Sequence, residues 1–414
     1  MSAHQQLQRR LGTFDATAIG LGSMLGAGVF VVFAPAAALA GQLLALSVVI
    51  AGVVAYCNAV ASAALAAKYP TSGGTYVYGR EQLGQWPGFL AGWGFVTGKT
   101  ASCAAMALTF GSYAWPGYAV PVAVAAVVVL TGVNLLGITR TALLTRILLC
   151  IVLATLAFVA VAAAVGPHPG AGSGAPAVEA SLGGVLPAAG LMFFAFAGYA
   201  RIATLGEEIK DPARAIPRAI IAALAAAFAI YLALSLLLLN HLPGGQLAAT
   251  RTPLLDAVLE SRFEAGAVLV QVGAAAACLG ALLALITGVG RTTMAMARER
   301  DLPSPLAKVG GKHTVPYVAE LAVAAVVILL LLTTDVMTVV GFSSFGVLIY
   351  YAVANASAYT LAVHPGYAPK WLNAVGFAAC LLLAFTLPPA SVLTMVAVLA
   401  AGVAGRWLVL RLRH

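Results

Sequence analysis

Two glycine-rich stretches and two stray charges are the residues of this 414-residue chain whose types and spacing could do chemistry. Gly20-Leu21-Gly22-Ser23-Met24-Leu25-Gly26-Ala27-Gly28 and Phe193-Phe194-Ala195-Phe196-Ala197-Gly198-Tyr199 each sit in the middle of an apolar run. Glycine in a helix interior is less favourable than alanine by about 1 kcal/mol, so glycines gathered at mid-helix suit a helix that unwinds there. An unwound turn leaves main-chain N–H and C=O groups without intrahelical partners. Those groups can hold a small polar molecule. The same residues also suit close helix packing through small side chains, and glycine alone does not choose between the two. Lys99 lies 13 residues after Trp86 and 16 before Trp115, hence about 20 Å or more from either end of an α-helix. A charge that deep in an apolar span marks a functional-site hypothesis. Arg201 follows Gly198 by three residues, about 4.5 Å further along the axis, and its guanidinium stays charged.

Other chemistries find no support. The histidines (His4, His168, His241, His313, His364, His414) fall at termini, loops or helix ends. The five cysteines (Cys57, Cys103, Cys150, Cys278, Cys380) lie inside apolar stretches without a C-x-x-C spacing, which reads as packing rather than metal binding. No nucleophile–base pair or metal cluster is expected at depth, so no metal, no cofactor and no enzymatic activity are expected. There is no Gly-x-x-x-x-Gly-Lys loop for ATP.

The elements that must carry these residues are membrane helices. Hydrophobic residues make up 62% of the chain and charged residues 8%, against about one quarter charged in a soluble domain. Apolar runs long enough to cross a ~30 Å hydrocarbon core recur throughout. Breaking the chain at polar and Pro/Gly-rich joints predicts twelve helices. The first half gives 16–39, 42–67, 86–114, 119–137, 142–166 and 185–206. The second gives 216–241, 264–292, 316–335, 338–362, 371–387 and 390–408. The first run is too long for a signal-peptide core, so helix 1 is expected to be retained. With the N-terminus in the cytoplasm, 18 of the 22 basic residues fall inside and only Arg251 and Arg262 outside, with Lys99 and Arg201 within spans. That lopsided partition predicts a multi-pass protein of the cell membrane with both termini cytoplasmic. It also accounts for the net charge of +9 without a nucleic-acid partner. The two glycine breaks lie five helices apart, the arrangement of an inverted repeat with a site at the midplane.

Three connectors extend the pattern. They are Tyr69-Pro70-Thr71-Ser72-Gly73-Gly74-Thr75-Tyr76-Val77-Tyr78, then Glu207-Glu208-Ile209-Lys210-Asp211-Pro212-Ala213-Arg214-Ala215-Ile216-Pro217-Arg218, then Arg291-Thr292-Thr293-Met294-Ala295-Met296-Ala297-Arg298-Glu299-Arg300-Asp301-Leu302-Pro303. With the helix 1 motif ending Gly28-Val29-Phe30, they resemble the amino acid–polyamine–organocation (APC) family in order and spacing from about residue 12 to 305. The resemblance implies an all-α membrane protein with a leucine-transporter-like fold of 12 transmembrane helices. Helices 1–5 and 6–10 would form a 5+5 inverted repeat with helices 1 and 6 broken, followed by two C-terminal helices. Residues 1–362 would form the transport core and 363–414 the added helices and a short tail. It further implies alternating access, an amino acid or related amine as cargo, and a lipid bilayer around the chain. A helix N-terminus suits a carboxylate, and a helix C-terminus suits an ammonium group. By analogy the carboxylate would meet the amides of Gly26, Ala27 and Gly28, and the ammonium the carbonyls near Met24, Phe194 and Ala197. Gly198 and Tyr199 complete the helix 6 break, and Phe194 matches the family's aromatic gate. The Gly73-Gly74 turn and the Asp211-Pro212 and Ile216-Pro217 steps would shape cytoplasmic connectors, with Glu207 and Glu208 as gate or scaffold residues.

The stray charges depart from the family. Some proton-coupled relatives carry a lysine on helix 5, where Val152 stands here, and helix 8 has Thr287 without the second hydroxyl that a sodium site uses. Lys99 is the expected substitute, as a proton carrier or a fixed stand-in for a metal ion. The alternative is a structural lysine that donates to broken-helix carbonyls. Arg201 stands just after the place where relatives often carry an acidic residue. It would line a cytoplasmic vestibule, pair with Glu208, or contact an anion. No Asp or Glu falls at mid-membrane, which disfavours cationic cargo. Ala27, Ala195, Ala197, Cys103 and Met106 predict a small, apolar wall. A neutral amino acid is therefore the expected cargo and an acidic one the alternative, with sodium-independent transport by proton coupling or exchange. A membrane amino-acid sensor and a channel are the competing classes. The sensor lacks a soluble output domain, and paired breaks suit alternating access better than an open pore.

Overall fold

The computed structural model describes residues 11–69, 74–137, 142–165, 179–203, 209–242, 244–310 and 315–411. Among the described residues the chain is helical, and its only strand-like pairings are the isolated bridges Leu11–Ile209 and Gly310–Val315. The first helix comes in three pieces, α1 (Thr13–Met24), α2 (Ala27–Val31) and α3 (Phe33–Ala40). Pro35 has no N–H for the carbonyl of Val31, which accounts for the second interruption. The helices α4 (Leu44–Lys68), α5 (Gly74–Leu83), α6 (Gln85–Ala114), α7 (Ala119–Leu135) and α8 (Ala142–Val165) follow. Next come α9 (Leu182–Phe196), a 3₁₀ turn over Ala197–Tyr199, and α10 (Ala200–Ala203). The rest is α11 (Pro212–His241), α12 (Gly244–Ala249), α13 (Pro253–Leu259), α14 (Ala267–Arg298), α15 (Tyr317–Thr333), α16 (Val336–Tyr359), α17 (Lys370–Thr386) and α18 (Pro389–Arg411).

Among the described residues, nine helical segments are long and apolar enough to cross a membrane, and α15 and α17 are shorter apolar helices. Among the described residues the expected spans fall mainly on helix, with three local differences. The short helices α5, α12 and α13 replace stretches read as connectors. Helix α11 begins at Pro212, four residues before the expected start at 216, so the whole Ile216-Pro217 step lies within a helix. Asp211 caps that helix in the left-handed region at φ 48°, and Pro212 occupies its first turn, where a missing N–H costs nothing. Helix α14 runs to Arg298, so most of the Arg291–Pro303 motif is helical. Glu207, Glu208 and residues 70–73 of the Tyr69–Tyr78 connector lie outside the described residues.

The broken helices are held between two scaffolds. On one side α11 packs against α1 and α4, and α4 against α9. On the other, α6 packs against both α14 and α16, and α2 touches α6 and α14. The breaks therefore face α6 and α14, and those two helices supply the rest of the site.

Candidate functional site

The first break falls at Leu25-Gly26, slightly before the expected Gly26-Ala27-Gly28, and Ala27 already starts α2. Its geometry follows from small residues. A Cβ on Gly28 would lie 2.8 Å from Ala195 Cα, and one on Gly26 would lie 3.0 Å from the Ala281 methyl. A Cβ on Gly198 would lie 2.5 Å from Met24 N and from the carbonyl of Ser23. The glycines thus let the two broken helices touch main chain to main chain, so the packing and unwinding readings hold at one place.

Beside this contact lies a cavity of ≈ 580 Å³. The first helix contributes Ser23, Met24 and Gly28, and the second break contributes Phe194, Ala195, Ala197, Gly198 and Arg201. Helix α6 adds Phe95, Lys99, Ser102 and Met106 at successive turns of one face. The C-terminal half of α14, from Ala281 to Arg298, lines the remaining length down to Tyr76 and Glu299 at the mouth. Of the expected site residues, Met24, Gly28, Phe194, Ala197, Gly198, Met106, Lys99 and Arg201 meet at this cavity. Ala27 and Cys103 are fully buried together in an apolar cluster behind the wall. Tyr199 is also fully buried, its ring 5.1 Å from that of Tyr351, and Gly26 packs on α14.

Lys99 is buried in the middle of α6 at 9% exposure. Among the described residues no carboxylate pairs with it. Arg201 reaches toward α14, its Nη1 3.9 Å from a Cβ placed on Gly288. Arg291 and Arg298 add further positive charge to the wall, against the carboxylate of Glu299. That carboxylate is 3.0 Å from Arg80 and already paired.

Two features escaped the sequence. Tyrosines on the scaffold cap the breaks: Tyr231 on α11 donates to Met24 O at 2.7 Å, and Tyr351 on α16 lies 3.4 Å from Ala197 O. Two of the three carbonyls expected to receive an ammonium group, Met24 O and Ala197 O, therefore already have phenol neighbours. The second feature is a buried ion cluster at the mouth. Helix α14 ends with Arg300 left-handed at φ 61°, Asp301 N bonded to Met296 O and Arg300 N to Ala297 O, the pattern of a Schellman cap. That turn aims Asp301 inward. Asp301 accepts from Tyr76 at 2.7 Å and Arg80 at 2.9 Å, and its other oxygen pairs with Arg406 of α18 at 2.8 Å. Burial, then the Asp301 contact, push the Tyr76 phenol well above its ordinary range, so it remains a donor. Arg406 is one of the basic residues assigned to the cytoplasmic side by the charge partition. It is buried at 6% exposure, over the rings of Trp86 and Phe89.

Comparison with known proteins adds a family. The profile described as "Amino acid permease" matches residues 11–404. An uncharacterized transporter of Mycobacterium tuberculosis (strain ATCC 25618 / H37Rv) is 55% identical over 404 residues, 96% of this chain and 91% of that protein. The branched-chain amino acid permease BcaP of Bacillus subtilis (strain 168) is 30% identical over 347 residues, 77% of this chain and 73% of that protein. The vacuolar cationic amino acid transporter 2 of Arabidopsis thaliana is 28% identical over 389 residues, 87% of this chain and 61% of that protein.

Proposed function

The chain belongs to the amino acid permease family, within the APC superfamily, and on that premise we propose that it is a sodium-independent secondary transporter of neutral amino acids. It is a membrane transporter, not an enzyme. The observation that carries the proposal is the ≈ 580 Å³ cavity bounded by both helix breaks. In this reading the N-terminal amides of the segment after Gly26 face the amino acid's carboxylate. The carbonyl ends at Met24, Phe194 and Ala197 face its ammonium group, and Phe194, Met106, Ala195 and Leu285 accommodate an apolar side chain. The Bacillus relative named for branched-chain amino acids supports neutral cargo.

The rest of the architecture is read in the same way. Twelve crossings are formed by α1–α3, α4, α6, α7, α8, α9–α10, α11, α14, α15, α16, α17 and α18, with the first ten as two inverted fives. Residues 1–362 form the core and 363–414 the added helices, both termini are cytoplasmic, and the membrane is a bacterial inner membrane. The cavity then opens inward, and alternating access closes it there. Sodium independence is supported by the contact of α1, α8 and α14. Gly22, Leu25, Leu149, Val152 and Ala277, which line the small void there, carry no side-chain oxygen, and hard cations take oxygen ligands. Thr287 on α14 donates to its own helix at Leu283. Lys99 supplies the intramembrane cation, with Arg201 balancing charge near the break, and proton coupling or exchange drives transport.

A second reading, an acidic amino acid as cargo, is favoured by Lys99, Arg201, Arg291 and Arg298 along one cavity. Uptake of a radiolabelled amino-acid panel into proteoliposomes, with and without pH and sodium gradients, separates the readings. Saturable uptake of neutral amino acids without sodium is expected. Preference for aspartate or glutamate selects the second reading, and indifference to every amino acid and amine removes both.

A further inference from the structure

Tyr231 lies in α11, a helix that contributes nothing to the cavity wall, yet its hydroxyl reaches the main chain of both breaks. The side chain is fully buried, and a buried phenol O–H needs a hydrogen-bond partner. Two carbonyls are within reach. Met24 O, on the last residue of α1, is 2.7 Å away, and Ala195 O, one residue before the end of α9, is 3.1 Å away. Both belong to the last four carbonyls of a helix, which have no amide of their own helix to accept from. One hydroxyl proton therefore serves two carbonyl ends that different helices bring to a single point. The ring is fixed as well, edge-on to Phe196 with centroids 4.9 Å apart and planes at 76°. Neither ring nor hydroxyl lines the cavity, but residues on each side of both capped carbonyls do. Ser23, Met24 and Gly28 line it from one break, and Phe194, Ala195 and Ala197 from the other.

We propose that Tyr231 is a positioning residue of the transport site, which locks the broken ends of the first and sixth helices in register by sharing its hydroxyl between Met24 O and Ala195 O. The proposal rests on the reading of the cavity as the amino-acid site. Two carbonyl dipoles that converge on one point repel each other. The hydroxyl hydrogen between them removes that repulsion and holds Met24 and Ala195 at the spacing the cargo meets. Without it, α1 and α9 can slide against each other along the glycine contact of Gly28 and Gly198. The cargo groups would then face a site whose two halves no longer match. Maximal turnover, set by the movement of whole helices, depends much less on this bond.

The test is Tyr231→Phe, which removes only the oxygen, compared with wild type for uptake kinetics in proteoliposomes and for thermal unfolding in detergent. KM for the transported amino acid rises about tenfold, the weight of one hydrogen bond. Maximal rate changes less than about twofold while the unfolding midpoint falls modestly, as two buried carbonyls lose their shared donor, and KM carries the largest change. An unchanged KM in folded Tyr231→Phe overturns the positioning role and leaves the transport reading intact. Equal losses in maximal rate and stability with no KM change also overturn it, because they mark a purely structural hydroxyl. If wild type itself takes up no amino acid, the transport reading falls and the proposal falls with it. Should Tyr231→Phe not fold, 3-fluorotyrosine at position 231 keeps the ring and strengthens the donor. It lowers KM by about twofold, and an unchanged KM there overturns the proposal.

Discussion

Replacing Gly198 by alanine puts a methyl group where the two broken helices touch. The new carbon would lie 2.5 Å from Met24 N, Ser23 C and Ser23 O, nearly 1 Å inside ordinary contact. All three atoms are main chain, so no side chain can rotate away, and either α1 or the 3₁₀ turn must move. Inserting a carbon into packing of this kind costs about 1–3 kcal/mol. Each 1.4 kcal/mol is tenfold, so the tightly packed arrangement loses about 5- to 150-fold in population. Gly132→Ala in α7 is the matched control. Nothing lies within 4 Å of its added carbon, and removing a helical glycine there stabilises by up to about 1 kcal/mol. Thermal unfolding in detergent and initial uptake rates in proteoliposomes read both variants. Gly198→Ala lowers the midpoint and the uptake rate, while Gly132→Ala leaves both equal to or above wild type. If Gly198→Ala behaves like Gly132→Ala, the contact between the two breaks is not as described and the reasoning fails.

Two further outcomes follow from the charges. Arg406→Met leaves Asp301, whose side chain is 2% exposed, without one of its partners. Asp301 keeps Arg80 and Tyr76, so the cost stays below the roughly 3–5 kcal/mol of a buried charge left alone; unfolding still shifts more than in Arg251→Met at an exposed loop, and equal shifts would contradict the buried pairing. Lys99→Met retains cargo binding but flattens the dependence of uptake on pH. Full activity with an unchanged pH profile would remove Lys99 as the coupling cation.

The sequence was most legible where composition and backbone chemistry act locally. Apolar runs placed the helices, and glycine clusters placed both breaks within a few residues, because the cost of a mid-helix glycine is a property of that residue. Lys99 stood out for the same reason, since a charge in an apolar run is conspicuous without any partner. Legibility ended where a residue's part depends on what it touches. Tyr231 sits in an unremarkable apolar helix, and only the fold brings it to Met24, 207 positions away. Arg406 read as one of many inside charges, because its carboxylate partner is more than a hundred residues earlier, at Asp301. The start of α11 is expected at 216 because of its two prolines, yet Pro212 and Pro217 both fall at the beginning of the helix, where proline is tolerated best. Ala27 and Tyr199, at the breaks, and Cys103, on α6, are buried off the cavity wall; at a broken helix, side-chain direction cannot be taken from spacing. One available signal went unused. A tyrosine in a fully apolar span must find an acceptor, and broken helices are where free acceptors occur.

The central claim is that the paired breaks form the cargo site, and the most direct measurement is a structure determined with the transported amino acid bound. The account predicts density for the amino acid in the ≈ 580 Å³ cavity, between Met24 and Gly28 on one side and Phe194 and Gly198 on the other. Density elsewhere in the molecule, with this cavity filled by solvent alone, would contradict it.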